Sequence, residues 1–221
     1  GGMESMSNAP RFVRSAERGE DVPYAELISI LSNDGLKDAY SGEMMGNTGE
    51  TVANEFDVKR DVSDAYAVRS HRLASAAWDQ GWLAKEAFAI GDLKRDEGIR
   101  PEADPETLAG LAPVFHEDGQ VTAGNSSQVS DGASAVLIAS METAEEHDLP
   151  VLARISDFTT AGVEPGRVMN APIPAVETLL QRSGLSIDDI DVLEHNEAFA
   201  SASCAIRSYF GVRDDRFNVH G

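Results

Sequence analysis

Apolar and polar positions alternate with a helical rhythm in the first half of the chain and with a mixed rhythm in the second. Residues 61-DVSDAYAVRSHRLASAAWDQG-81 put Tyr66, Leu73 and Ala77 on one face, open with Asp or Ser and close on Gly81, so they predict a long helix. Residues 48-TGETVANEF-56 predict another helix, and 24-YAELISILSNDGLKDAY-40 a short helix closing in a turn at Asn33–Gly35. Residues 92–120 read as irregular, rich in Pro and charge, and 121-VTAGNSSQVSDG-132 as a polar loop. A short buried strand is predicted over 134–140 and a helix over 141–149. After Pro150 a strand (151–160), a helix (172–184), a strand (190–194) and a helix running from Asn196 to near Gly211 follow one another. Strand alternating with helix implies βα units on a sheet, whereas the first 120 residues read as a helical, loop-rich excursion. The change of texture sets a boundary near 148–150. No internal repeat or low-complexity tract interrupts this order.

The charge balance sharpens the picture. The 221 residues carry 38 acidic and 18 basic side chains, a formal net charge of −20, with only four Lys against fourteen Arg. The acids are spread between apolar residues, so they coat a folded surface. An acidic, Lys-poor coat keeps a protein hydrated in concentrated salt, and predicts a salt-adapted source. Such a balance argues against nucleic-acid partners. Nothing approaches the ~18–20 apolar residues of a membrane span, and the start shows no signal-peptide pattern. The sole cysteine, Cys204, excludes an intrachain disulfide and a cysteine zinc site, and fits a reducing cytoplasm. The start without Met and the end on NVHG predict a piece of something longer.

Several residues invite chemistry. In 194-EHNEAFA-200, Asn196 follows a predicted strand and opens a predicted helix. It can cap that helix, and it can equally face the crevice where open α/β sheets bind ligands. Cys204 lies eight residues further along the same helix, about 12 Å along its axis, among Ala and Ile, and reads as a small buried hydrophobe. His195 and Glu194 lack a second His at ligand spacing, so no metal site is expected. The stretch 46-GNTGETVA-53 lacks the Lys-Ser/Thr ending of a phosphate loop, and no G-x-S-x-G elbow exists.

Taken together these stretches resemble the thiolase family. "GGMESMSNAP" is similar to the segment that follows the family's nucleophilic cysteine, and "MMGNTGETVA" to M-G-x-T-A-E-N-x-A. "VTAGNSSQVSDGASAVLIAS" resembles V-T-A-G-N-A-S-G-x-N-D-G-A-A-A-V, "EHNEAFA" matches N-E-A-F, and "NVHG" resembles the start of N-V-N-G-G. The matches run in family order over essentially the whole chain. The resemblance implies an α/β fold of the layered αβαβα thiolase kind. On that map residues 1–9 end the N-terminal core, 10–128 form an inserted loop domain, 129–148 return to the core, and 149–221 begin the C-terminal domain.

The resemblance also implies an activity and its residues. Thiolases move acyl groups between coenzyme A thioesters, making or breaking a carbon–carbon bond beside a carbonyl. By match, Asn196 orients a water that stabilises the enolate oxygen, and Glu197 supports it. Ser127 hydrogen-bonds the pantetheine arm and Ala123 lines it. Met45 and Phe199 wall the acyl pocket beside Ala198. Arg100 approaches the nucleotide end, and Thr107, Leu111 and Phe115 help to hold the adenosine. The substrate is a coenzyme A thioester with no further cofactor, and the implied assembly is a homodimer or homotetramer. The nucleophilic cysteine would precede Gly1, and the G-H-P histidine and C-x-G cysteine would follow Gly221. The chain departs from the pattern at Gly49, Thr51, Met44 and His220, and 169-MNAPIPA-175 is one residue short. A rival reading is a non-catalytic acyl-CoA-binding or scaffold subunit of the same architecture; a helical interaction module without ligand fits less of the chain.

Overall fold

The computed structural model describes residues 1–221. Strand β1 (Gly2–Ser5) opens the chain, followed by short strands β2 (Arg11–Phe12) and β3 (Ile28–Ser29). Helices α1 (Met45–Glu55), α2 (Arg60–Asp79) and α3 (Pro105–Ala109) follow. Strand β4 (Asp131–Ser134), then helices α4 (Met141–Glu146), α5 (Pro172–Ser183) and α6 (Ala200–Phe210), complete the order. β1 pairs antiparallel with β4, Gly2 opposite Ser134 and Ser5 opposite Asp131; β2 pairs antiparallel with β3. No helix is long and apolar enough to cross a membrane.

The core gathers around α6. Every residue from Ala200 to Ile206 is buried, so this helix has no solvent face in its first two turns. Its Ala and Ser side chains are small, and that lets α1 and α2 approach closely; Ser201 Oγ donates to the Gly49 carbonyl of α1 at 2.9 Å. Val52, Tyr66, Ile173 and Phe217 close over it. Full burial of Ile206 alone is worth roughly 1.5–3 kcal/mol.

The helices expected near 48–56, 61–81 and 172–184 form close to those limits. Gly81, Gly184 and Gly211 all adopt positive φ where their helices stop, the conformation that glycine reaches at least cost. The segment 24–40 differs: it forms a 3-10 turn at Tyr24–Glu26, β3, and a π-helical turn at Leu31–Gly35. Three expected strands are not built as ladders. Residues 135–140 and 151–160 carry no strand, and Leu137 and Leu152 are 81% and 98% exposed. Over 190–194, only Leu193 makes a bridge, parallel to Phe217. A strand exists only where neighbouring backbone accepts its hydrogen bonds; beside 190–194 the 216–218 segment does so at Leu193 alone, and no ladder forms on 135–140 or 151–160.

Candidate functional site

Two loops, 120–128 and 194–199, stand back to back and shape the site. The first is pinned from below by buried carboxylates. Glu50 of α1 is 5% exposed and accepts the backbone N–H of Gln120 at 2.9 Å and of Val121 at 2.8 Å. Asp64 of α2 is 2% exposed; it accepts Arg60 Nε at 2.7 Å and Asn125 Nδ2 at 2.8 Å. Asn125 turns its Oδ1 to the Thr122 N–H at 2.9 Å, and its Nδ2 also reaches the Gln120 carbonyl at 3.0 Å. Every polar atom of that amide is used, which makes the loop one rigid piece.

The second loop is laid against the first. The Ser127 N–H donates to the Ala198 carbonyl at 2.9 Å, Ser126 bridges Phe199, and the Ala200 N–H donates to the Asn125 carbonyl at 2.9 Å. These bonds hold 196–199 outside the helix, so α6 starts at Ala200 with Phe199 as its N-cap residue at φ −140°. The expectation that the helix begins at Asn196 is therefore corrected by four residues. Asn196 is not the cap: its carboxamide is exposed and makes no hydrogen bond within the chain, while its carbonyl accepts the Ala198 N–H at 2.9 Å.

Beside it, Glu197 points inward. Its carboxylate accepts Tyr66 Oη at 2.6 Å and Ser70 Oγ at 2.5 Å, from one turn of α2, and Asn218 Nδ2 at 2.7 Å. Burial, then the hydrogen bond to Glu197, pushes the Tyr66 phenol far above its usual range, so it stays a donor. Asn218, at φ 42°, also exchanges two bonds with the backbone of His195: it accepts the His195 N–H at 2.7 Å and donates to its carbonyl at 2.9 Å. The His195 ring stacks on Phe217 and pairs Nδ1 with Ser203 Oγ at 2.9 Å; burial holds its pKa below the ordinary value.

These pieces line a cleft of about 810 Å³ between α2, residues 96–100, the 124–131 loop and Asn196–Glu197. Of the residues singled out in the sequence, Arg100, Ser127, Asn196 and Glu197 meet in it. His71 of α2 joins them unforeseen. Its Nδ1 accepts the Arg100 N–H at 3.2 Å, and burial and the Arg100 charge lower its pKa. The other expected residues lie elsewhere. Phe115 and Phe199 meet edge to face at 6.4 Å, over Gly46 and Gly49 of α1. Met45 is half-buried at the start of α1. Thr107 is exposed in the first turn of α3, bonded to Asp104 at 2.6 Å. Leu111 packs on Gly124, and Ala123 is exposed on the loop. Ala198 does not line the cleft; its carbonyl accepts the Ser127 N–H and its N–H donates to the Asn196 carbonyl. The sequence signal for the Glu197 donors was the spacing of Tyr66 and Ser70, four apart on one helix face.

Cys204 is 3% exposed, its thiol pushed up to about 11 by burial. A thiol that is neither ionised nor reachable is not a nucleophile.

Ser126 and Ser127 of one loop, Asn196 of the other and the half-buried His71 of α2 thus face a single cleft. Residues 1–142 match the family description "Thiolase, N-terminal domain" and residues 149–221 "Thiolase, C-terminal domain", and this chain belongs to the thiolase family. It is 38% identical to an acetyl-CoA acetyltransferase of Pseudomonas aeruginosa and 39% identical to one of Shinella zoogloeoides, in each case over 100% of this chain and 58% of the relative. Among solved structures it resembles human mitochondrial 3-ketoacyl-CoA thiolase in complex with CoA, with a TM-score of 0.91 and 36% identity over 100% of this chain and 57% of that one. The fold is thus the α/β fold of the thiolases, and the chain spans a little under three-fifths of the length of these relatives.

Proposed function

We propose that this chain is part of an acyl-CoA C-acyltransferase that condenses acyl-CoA thioesters or cleaves 3-ketoacyl-CoA by thiolysis. The observation that carries it is the sharing of one cleft by Ser127, Arg100 and Asn196 in a chain of this family. Ser127 bonds the pantetheine arm, Arg100 meets the nucleotide end, and the free carboxamide of Asn196 orients the water on the enolate oxygen. Met45 and Phe199, with Ala198, form the acyl side; Ala123 lines the pantetheine arm, and Thr107, Leu111 and Phe115 help to hold the adenosine. Residues 10–128 act as the loop domain that carries most of this wall. The acyl-accepting cysteine lies outside these residues, since burial disables the one thiol present. The intact protein is a homodimer or homotetramer working on soluble thioesters, with an acidic surface suited to high salt.

Titration of the chain with coenzyme A tests the binding role. Saturable binding is expected, weakened about three- to tenfold in Ser127→Ala, the worth of one hydrogen bond. Absence of saturable binding contradicts the reading. The chain alone is expected to show no thiolysis of acetoacetyl-CoA with free CoA; turnover would overturn the placement of the nucleophile. Reading the gene on both sides separates enzyme from binding subunit. An intact frame without the cysteine and G-H-P segments favours the non-catalytic subunit.

A further inference from the structure

We infer that Glu197 is a positioning residue for Asn196, and that it works by cross-linking three separate segments through its carboxylate. The inference rests on the role given to Asn196 above.

Three observations carry it. Asn196 has no hydrogen bond of its own from its side chain, so the direction of its carboxamide depends on where the backbone of 195–198 is held. That backbone is held on one side by Ser127, through Ala198, and on the other by Asn218, through His195. Asn218 is itself fixed in a left-handed conformation, at φ 42°, with Nδ2 bonded to Glu197 at 2.7 Å. The remaining acceptor capacity of Glu197 goes to Tyr66 and Ser70 at 2.6 and 2.5 Å. One carboxylate therefore ties α2 to the loop before α6 and to the 217–219 segment.

The chemistry of the group suits the task. A carboxylate that faces only donors fixes all of them at once, and bonds to a charged acceptor are stronger than neutral ones. No ion pair reaches it: the guanidinium of Arg69, on the same helix between Tyr66 and Ser70, is spent on the carbonyl of Phe217 at 2.8 Å and on that of Asp214. Tyr66 and Ser70 also line the cleft, together with His71 of the same helix turn. The helix that meets the thioester is thereby bolted to the loop that carries Asn196, and the two move as one body. Replacement by Gln keeps the shape but removes the charge and one of the two acceptor oxygens, so the charge-assisted bonds become neutral ones and the Ser70 hydroxyl must reverse its role. The anchor of the loop is then weakened without leaving a cavity.

The test uses the full-length protein and acetoacetyl-CoA thiolysis, comparing wild type, Asn196→Ala, Glu197→Gln and the double variant. Glu197→Gln is expected to lower kcat on the order of 10- to 100-fold, the effect of misplacing a group by a fraction of an ångström to 1 Å, with KM for CoA within about twofold. The double variant is expected to be no slower than Asn196→Ala alone, because the two residues act as a unit. A folded Glu197→Gln protein with wild-type kcat overturns the inference, and so does a double variant whose losses multiply. If Glu197→Gln fails to fold, Tyr66→Phe and Ser70→Ala each remove a single donor and are read in the same cycle against Asn196→Ala. A wild-type protein without thiolysis sinks the functional reading instead. The clamp is then read in the present chain by amide exchange at His195. Exchange about tenfold faster in Glu197→Gln is expected, and unchanged exchange overturns it.

Discussion

The carbonyl of Asn125 accepts the amide of Ala200 at 2.9 Å, so a loop residue satisfies the first helical N–H of α6 from a distant part of the chain. The side chain of the same residue closes the buried network with Asp64, Gln120 and Thr122. Substitution of Asn125 by Ala removes three hydrogen bonds and leaves Asp64 with a buried oxygen unpaired. A loss of roughly 3 kcal/mol is expected. Urea unfolding checks it: an unchanged midpoint would show that the loop and α6 are held by other contacts.

Two glycines of α1 set the room for the aromatic pair. A Cβ on Gly46 would stand 2.0 Å from the Phe115 ring, whereas one on Gly49 would stand 2.9 Å from Phe199 Cγ. Alanine gains about 1 kcal/mol in helix propensity at either place. Overpacking costs about 1–3 kcal/mol or more, so Gly46→Ala should destabilise by roughly 2 kcal/mol and Gly49→Ala nearly break even. Thermal unfolding of both variants decides, and the reverse order contradicts the packing described here.

His195 and His71 both have folded-state pKa values held below 6.5, by burial first. A neutral buried histidine makes the unfolded chain the better proton binder, so stability is full above the unfolded value and declines as pH falls below about 6.5. The unfolding temperature should drop between pH 7.5 and 5.5, and less so in His195→Phe. A flat profile, or an equal drop in the variant, removes this origin.

Cys204 should resist Ellman's reagent in the folded protein and react promptly in denaturant, given its burial and a thiol pushed up to about 11. Cys204→Ala should bind coenzyme A as the parent does. Rapid labelling under native conditions would mean that α6 opens.

The net charge of −20 is met by seven ion pairs, so most of the 38 acids face solvent unpaired. At 1 M salt the Debye length is about 3 Å, and their mutual repulsion is screened. Raising KCl from dilute buffer to molar concentration should raise the unfolding temperature by several degrees. A constant or falling temperature would remove salt adaptation as the reason for the acidic coat.

Local order was readable residue by residue. The stops of α2, α5 and α6 at Gly81, Gly184 and Gly211 follow from backbone freedom alone, and the burial of Cys204 from its apolar neighbours. The family motifs pointed to Asn196, Ser127 and Arg100 one at a time. Short-range chemistry of this sort needs no knowledge of what lies across the fold.

The start of α6, by contrast, was settled by Ser127 and Asn125, which hold 196–199 out of the helix through bonds that no local propensity contains. The stretches 134–140 and 151–160 have strand composition, yet pairing needs a neighbour's backbone: β1 supplies it only as far as Ser134, and no ladder forms on 135–140 or 151–160. The sequence by itself determined that the α1, α2 and α5 segments coil, where α2, α5 and α6 stop, and which family the chain matches. Only the tertiary structure decided that Glu197 faces Tyr66, Ser70 and Asn218, because the partners of a buried carboxylate are chosen by packing across the chain and not by order along it.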